Sequence, residues 1–180
     1  MAESLVVDTN VLIIASAADD GSPFRPDATP VQEAALRKEV LDWLREFEHD
    51  AARSVVLDYD WHICGEYQNK LDVDQDYGWL AVMAKKDHNQ VVWVTIDVDE
   101  DGHAELPVEL HGAVSDRADR KMVAAVLFAQ LAGNDCKLVN ASDTDWLDCE
   151  SALSEAGVQV HQLLGEWLKA KHKAKKSQGG

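Results

Sequence analysis

Residues 5–10, LVVDTN, decide the expected fold, and the apolar run 11–14, VLII, follows them at once. An apolar, β-branched run that ends on a carboxylate is typical of a strand buried in a parallel sheet. Here that carboxylate is Asp8. Open α/β folds place their ligands at the carboxyl edge of the sheet. We therefore expect Asp8 to lie at a ligand-binding edge, provided that other carboxylates arrive at the same edge.

The size and composition of the chain indicate one domain. Its 180 residues can bury a sizeable core, and 46% hydrophobic with 28% charged residues is ordinary for a globular protein. We assign residues 1–168 to a single domain with an insertion around 72–115, and residues 169–180 to a lysine-rich, disordered tail. No run approaches the ~20 apolar residues of a membrane span, and no signal peptide is visible, so we expect a cytoplasmic protein.

The net charge of −16 limits the ways in which this chain can bind nucleic acid. Its 33 acidic residues outnumber 17 basic ones, and five of the basic residues fall within 169–176. Such a body repels phosphate backbones unless divalent cations or local basic patches intervene. Any nucleic-acid role must therefore be local. The tail itself is either a weak tether to nucleic acid or a solvated segment with no specific role.

Predicted strands alternate with predicted helices along the chain. Strand patterns cover residues 5–7, 54–57, 91–96, 136–140 and 158–160, with an additional candidate strand at 104–110. Helical patterns cover residues 11–18, 31–47, 58–71, 79–85 and 146–156, a stretch from Ser115 or Asp116 to 131, and a stretch from about 162 onward. This alternation predicts an α/β fold with a parallel sheet.

Four acids come from four separate segments of this layout. Asp8 follows the first strand, and Asp143 follows a later strand. Asp119 falls in the first turn of one helix, whereas Glu66 lies about two turns into another. Helix starts and strand carboxyl ends share one edge of a parallel α/β sheet, so Asp8, Asp119 and Asp143 can meet there. Glu66 needs the longest reach.

Carboxylates gathered at one edge repel each other unless a cation neutralises them. Mg²⁺ and Mn²⁺ prefer carboxylate and water oxygens, and Mg²⁺ keeps several waters. One or two such ions can activate a water for in-line attack on a phosphodiester and stabilise the leaving oxygen. The ordered set of acids therefore predicts a metal-dependent phosphodiesterase.

The same motifs resemble those of PIN domains. Residues 6–12 (VVDTNVL) resemble the opening motif of that family, and residues 65–67 (GEY) with Leu71 resemble the segment that carries its second acid. Residues 116–121 (DRADRK), with the Ala-rich helix behind them, resemble the third, and residues 138–145 (LVNASDTD) resemble the fourth. The closing strand and helix resemble residues 157–164 (GVQVHQLL). These motifs follow one another in the order and spacing typical of the family, and together they cover most of the chain.

The resemblance implies a three-layer α/β/α fold with a central, mostly parallel sheet. It implies an endoribonuclease that depends on Mg²⁺ or Mn²⁺ and cleaves RNA, which we expect to be single-stranded. Many relatives form homodimers, and many are toxins that an antitoxin silences. The toxin role, an antitoxin or regulatory partner and a homodimer are therefore expectations for this chain as well.

The resemblance also implies roles for individual residues. The metal ligands are expected to be Asp8, Glu66, Asp119 and Asp143, with Asp145 as an auxiliary acid at the catalytic site. Either Thr9 or Asn10 would hydrogen-bond Asp8 and orient it. Asp116 could exchange roles with Asp119, although Asp119 aligns better with the acid that precedes the basic pair.

Three other interpretations stay open on the residues alone. The chain could be a PIN-fold interaction module that acts through a protein partner. A more distant alternative is an aspartyl-phosphate phosphatase that uses Asp58 and Asp60, although Asp58 is better explained as a helix cap. Residues 97–102 (DVDEDG) imitate the start of an EF-hand, but Val108 stands where the bidentate glutamate belongs. We expect an acidic hairpin turn there.

Overall fold

The computed structural model describes residues 2–23 and 25–179, and its centre is a five-stranded sheet in which all neighbouring strands pair in parallel. The strands are β1 (Glu3–Val7), β2 (Arg53–Asp58), β3 (Val91–Val94), β4 (Asp135–Asn140) and β5 (Val160–Gln162). Their order across the sheet is β3-β2-β1-β4-β5. The expected α/β class is confirmed.

Eight α-helices within the described residues flank this sheet and make a three-layer α/β/α arrangement. They are α1 (Thr9–Ala18), α2 (Ala34–His49), α3 (His62–Lys70), α4 (Tyr77–Asp87), α5 (Arg120–Leu131), α6 (Asp145–Asp148), α7 (Glu150–Glu155) and α8 (Gly165–Gln178). Short 3₁₀ turns lie at Pro26–Ala28 and Val108–Leu110. None of the helices in the described ranges is both long and apolar enough to cross a membrane.

The sheet order places β1 at its centre. Leu5 of β1 is in register with Val55 of β2 on one side and with Lys137 of β4 on the other. Val6 and Val7 are completely buried, as the apolar opening of the chain predicts. After β3 the chain returns across the sheet to form β4 on the far side of β1. Such a reversal opens a crevice at the carboxyl ends of the strands, where α/β sheets bind ligands.

The segment 72–115 differs from its expected description as an insertion. It contains α4 and β3, and β3 pairs with β2 as an edge strand of the central sheet. The candidate strand at 104–110 is wrong: its first residue forms one isolated antiparallel bridge, Val98 with Ala104, and its end is a 3₁₀ turn. Pro107 lacks an N–H donor, which disfavours a continuous ladder there. Residues 97–104 do form the expected acidic turn, with Gly102 at a φ of 80°.

The carboxyl-terminal residues also differ from expectation, because α8 continues to Gln178 where a disordered tail is predicted. The lysine-rich part of α8 is held by acids of the short helix α6. His172 lies 2.8 Å and Lys176 lies 3.7 Å from Oδ1 of Asp148. Lys175 lies 3.2 Å from Oδ1 of Asp145. These ion pairs link a basic helix to an acidic one and oppose fraying.

Candidate active site

Asp8 joins β1 to α1, and only 5% of its surface is exposed. Its backbone N–H donates to the carbonyl of Val139 at 3.0 Å, which fixes the turn against β4. The indole Nε1–H of Trp146 donates to Oδ2 of Asp8. Burial raises the pKa of Asp8 to about 7 against the opposing effect of the Trp146 hydrogen bond, and the charges of Asp143 and Glu66 add to the rise.

Thr9 and Asn10 follow Asp8 directly, but their side chains have other partners. The hydroxyl of Thr9 donates to Oε1 of Glu66, so Thr9 reaches Asp8 only through its backbone N–H. Oδ1 of Asn10 accepts the backbone N–H groups of residues 141 and 142 at 3.0 and 3.1 Å. Asn10 therefore fixes the loop after β4. The side chain that orients Asp8 is the indole of Trp146, which corrects the expected role of Thr9 or Asn10.

Glu66 extends from α3 to the same edge of the sheet, and 24% of its side chain is exposed. Its Oε2 forms an ion pair with the ammonium of Lys121 in α5. The hydroxyl of the next residue, Tyr67, donates to the carbonyl of Val7 at the end of β1. This hydrogen bond holds α3 against β1 one residue before Asp8. The long reach expected of Glu66 is therefore achieved by packing its helix against the central strand.

The start of α3 explains the carboxylate at the end of β2. Asp58 is buried, and its two carboxylate oxygens accept the backbone N–H groups of His62 and Ile63, each at 2.8 Å. Asp60 is exposed. A carboxylate that satisfies two unpaired N–H groups at a helix start is a cap, which agrees with the expectation for Asp58 and disfavours the phosphatase alternative.

Asp119 directly precedes α5 and is partly buried. Burial raises its pKa to about 8, and the next largest causes are the charges of Asp8 and Asp143. Asp116 is exposed, and its Oδ1 accepts the N–H of Ala118 at 2.9 Å within a local turn. Of the two acids left open by the sequence, Asp119 is the more buried, and the charge of Asp116 contributes to the raised pKa values of both Asp119 and Asp143.

Asp143 lies in the loop after β4 and is positioned by Asn140, the last residue of that strand. Oδ1 of Asn140 accepts the N–H of Asp143 at 3.1 Å, and its Nδ2 donates to the Asp143 carbonyl at 2.9 Å. Burial is the main cause that raises the pKa of Asp143, and the charge of Asp145 contributes to the rise. The N–H of Asp145 donates to Oδ1 of Asp143 at 2.9 Å, whereas its own carboxylate is exposed and pairs with Lys175.

We refer to Asp8, Glu66, Asp119 and Asp143 together as the acidic cluster. The charges of these acids act on one another. Those of Asp143 and Glu66 raise the pKa of Asp8, and those of Asp8, Asp143 and Glu66 raise the pKa of Asp119. Within residues 2–23 and 25–179, however, no three of these carboxylates lie within 4.8 Å of one another. The four acids therefore influence one another's charge without forming a closed ligand cage among the described residues.

Comparison with family models, curated proteins and solved structures finds no match to this chain. The resemblance to PIN domains therefore stays a prediction, based on the four acid-bearing motifs and their order. The protein itself has the α/β fold and brings Asp8, Glu66 and Asp143 near enough to Asp119 for their charges to raise its pKa.

In the acidic turn, Asp99, Asp101 and His103 each place one possible ligand atom within 4.8 Å of the other two. Oδ1 of Asp99 is already used, because it accepts the N–H groups of Asp101 and His103 at 3.0 and 2.9 Å. Asp101 and His103 are also partly or fully exposed. The contacts of Asp99 are those of an ordinary Asx turn.

Two residues that contact the proposed metal ligands are not predicted from the sequence. Trp146 donates to Asp8, and Lys121 neutralises Glu66. An indole in a short helix resembles any core aromatic, so no local pattern marks Trp146. Lys121 carries a weak signal, because it belongs to the basic pair that follows Asp119.

Proposed function

We propose that this protein is an endoribonuclease that depends on Mg²⁺ or Mn²⁺ and hydrolyses phosphodiester bonds of RNA at the acidic cluster. The observation that carries the proposal is that four carboxylates from four segments lie near enough for their charges to act on one another, and that this effect, together with burial, raises the pKa values of Asp8 and Asp119 to about 7 and about 8. Acids arranged in this way are costly to keep without a cation, and clusters of perturbed acids in a crevice are typical of functional sites.

The donor set fits a hard divalent cation. Every side chain in the acidic cluster offers carboxylate oxygen, and none of its members is a thiol or an imidazole. No three of these carboxylates within residues 2–23 and 25–179 approach one another within 4.8 Å, and Mg²⁺, which keeps several waters, does not require a closed cage of protein ligands. Asp8, Glu66, Asp119 and Asp143 would hold the ion, and the exposed Asp145 would support Asp143.

A bound Mg²⁺ or Mn²⁺ supplies positive charge and an activated water for in-line attack at phosphorus. Side chains of the protein itself stabilise two of the proposed metal ligands in their charged forms. Trp146 stabilises the charged form of Asp8, and the ammonium of Lys121 neutralises the Glu66 carboxylate, which would have to leave this ion pair to hold a cation. Because Asp8 and Asp119 must lose protons to act as ligands, we expect metal affinity to rise between about pH 6 and pH 8.

The proposal is tested by incubating a fluorescently labelled single-stranded RNA with the purified protein in Mn²⁺ and separating the products on a gel. We expect endonucleolytic cleavage that EDTA abolishes. Asp119→Asn should lower the rate at least roughly 100-fold, because even residues that only support metal ligands are worth 10- to 100-fold. Asp20→Asn, the same change at an exposed acid remote from the cluster, is the matched control. Equal cleavage by the two variants would refute the proposal.

The interaction module is the second candidate, and the excess of 33 acidic over 17 basic residues is the observation that favours it. It predicts that calorimetry detects no Mn²⁺ binding and that a stable protein partner co-purifies. The roles as an antitoxin-controlled toxin and as a homodimer are further proposals. Co-expression with the product of a neighbouring gene tests the first, and light scattering tests the second.

A further inference from the structure

A groove of about 320 Å³ runs between α8 and the loop after β4. On the loop side it is lined by Ser142 and Thr144, and on the helix side by Trp167, Lys171 and Lys175. We call it the α8 groove. Asp143 lies in sequence between the two loop residues, so the loop that carries this acid also forms one wall of the groove. A strand lying in the α8 groove would therefore contact the same loop that carries Asp143.

The groove is a fixed feature of the fold because both of its walls are anchored. On the helix wall, Trp167, Lys171 and Lys175 recur at intervals of four residues and so share one face of α8. Leu168, on another face, is completely buried in the core. On the loop wall, the N–H of Ser142 is bound to Asn10 at 3.1 Å. The two lysines are therefore held beside the loop rather than dispersed on a mobile tail.

The charge of the groove contrasts with that of the rest of the protein. Lys171 is exposed, and among the described residues it has no ion-pair partner. Lys175 shares its charge with Asp145 at 3.2 Å and with the hydroxyl of Thr144 at 3.4 Å. Because the chain as a whole carries −16, a polyanion is repelled from most of its surface. The α8 groove offers that polyanion a local basic approach to the acidic cluster.

The ammonium groups of Lys171 and Lys175, together with the aromatic ring of Trp167, favour single-stranded nucleic acid as the ligand of the α8 groove. Cations that follow a phosphate backbone, together with aromatic rings on which bases stack, are the features that bind single-stranded nucleic acid. A groove of about 320 Å³ is at the small end of ligand sites, roughly 300–1,000 Å³. Double-stranded RNA is instead recognised across successive grooves of a duplex, which this groove cannot enclose.

We propose that the α8 groove binds the segment of a single-stranded RNA that adjoins the cleaved bond, with Lys171 and Lys175 contacting phosphates and Trp167 contacting a base. This inference rests on the proposed ribonuclease function and extends it, since it identifies how a strongly acidic protein admits an RNA strand to a cluster of carboxylates. The basic end of the chain is thereby a part of the substrate site.

The experiment compares Lys171→Glu with Lys173→Glu, which makes the same change of charge two residues away on α8. Lys173 is exposed and does not line the groove. Both changes are made in the Asp119→Asn background, so that RNA survives in Mg²⁺, and binding of a short fluorescein-labelled single-stranded RNA is followed by anisotropy between about 50 and 200 mM salt. Circular dichroism checks that the helical content of both variants is unchanged.

We expect Lys171→Glu to raise the Kd several-fold and to reduce the slope of log K against log salt by about 1. Lys173→Glu should leave both values near those of the Asp119→Asn parent, and duplex RNA of the same sequence should compete poorly. Equal weakening by the two glutamates, or equal competition by the duplex, would overturn the groove assignment.

Cleavage by proteins that keep Asp119 separates this inference from the function on which it rests. With the site otherwise intact, Lys171→Glu should raise KM for RNA while kcat is retained. Binding that depends on Lys171 but leads to no cleavage would refute the ribonuclease and keep the groove. Cleavage whose KM responds equally to both glutamates would keep the ribonuclease and refute the groove.

Discussion

Replacing Asp8 with asparagine is expected to stabilise the metal-free protein while abolishing its metal-dependent activity. Burial raises the pKa of Asp8 from 3.8 to about 7. Each pKa unit corresponds to about 1.4 kcal/mol, so holding this carboxylate in its charged form costs the folded protein up to roughly 4 kcal/mol. Asparagine keeps an oxygen that can accept the Trp146 indole N–H and removes the charge.

The pH dependence of this effect has a definite sign. Between the unfolded pKa of 3.8 and the folded pKa of about 7, the folded protein retains a proton that the unfolded chain has lost. Stability therefore falls as the pH rises through this window, and above about pH 7 the whole cost is present. The gain from Asp8→Asn should be largest near pH 8 and less than half as large near pH 5.

Urea unfolding of the two proteins in EDTA, followed by tryptophan fluorescence at these two pH values, measures the gain. We expect between about 1 and 4 kcal/mol near pH 8, because proton uptake by neighbouring acids relieves part of the cost. Asp20→Asn, which removes an exposed charge, controls for the general effect of lowering the net charge. Mn²⁺ at about 100 times its Kd should stabilise the parent and Asp20→Asn by about 2.7 kcal/mol, but not Asp8→Asn. A less stable Asp8→Asn protein near pH 8, or an equal gain in Asp20→Asn, would refute the reasoning.

Two further substitutions test how the site and its scaffold are built. Trp146→Phe removes the N–H that lowers the pKa of Asp8, so we expect the acidic limb of the pH–rate profile in Mn²⁺ to move to higher pH; an unmoved limb would contradict the role of the indole. Gly78→Ala places a Cβ 2.5 Å from the carbonyl oxygen of Leu12 and should cost at least about 2 kcal/mol of unfolding free energy in urea. Gly65→Ala is its control, because a Cβ there meets nothing within 4 Å and should stabilise α3 by roughly 0.5–1 kcal/mol; similar effects at both glycines would contradict the packing argument.

Buried strands were the part of the fold most open to prediction, because their apolar runs depend on local composition. The run at 5–7 becomes the end of β1, and 136–140 becomes β4 with one added residue. The last strand is displaced from 158–160 to Val160–Gln162. There, Gly157 takes a φ of 82° and Val158 donates to the carbonyl of Leu153, which completes the end of α7 before any strand can start.

Local hydrogen bonding also explains why α5 starts later than expected. Ser115 and Asp116 have side chains suited to capping, and that chemistry predicted a helix from this point. Instead, Asp116 accepts the N–H of Ala118, and the helix begins at Arg120. Asp side chains can stabilise a turn as readily as a helix start, and sequence alone does not decide between them. Because α5 begins at Arg120, Asp119 lies directly before the helix, at the edge of the sheet.

The acidic residues of the site could be predicted from the sequence, but the side chains that hydrogen-bond or pair with them could not. Asp8, Asp119 and Asp143 lie where strand ends and helix starts are expected to meet, because that geometry follows from any parallel α/β sheet. Their partners depend on tertiary packing across long separations. Trp146 reaches Asp8 across 138 residues of sequence, and no periodicity encodes such a contact.

The energetic cost of the acidic cluster bears on the choice between an enzyme and an interaction module. Amides at positions 8 and 119 would fill similar space without the burial of charge and the smaller repulsion between acids that raise the pKa values to about 7 and about 8. A module that only docks a partner elsewhere on the fold gains nothing from carboxylates in this crevice. A divalent cation turns the same repulsion into affinity, since the ion supplies the charge that the acids lack. The cost of the acidic cluster therefore supports the proposed metal site, and Mn²⁺ calorimetry on Asp8→Asn beside Asp20→Asn tests that site: we expect Asp20→Asn to bind Mn²⁺ as the parent does and Asp8→Asn to bind it much more weakly.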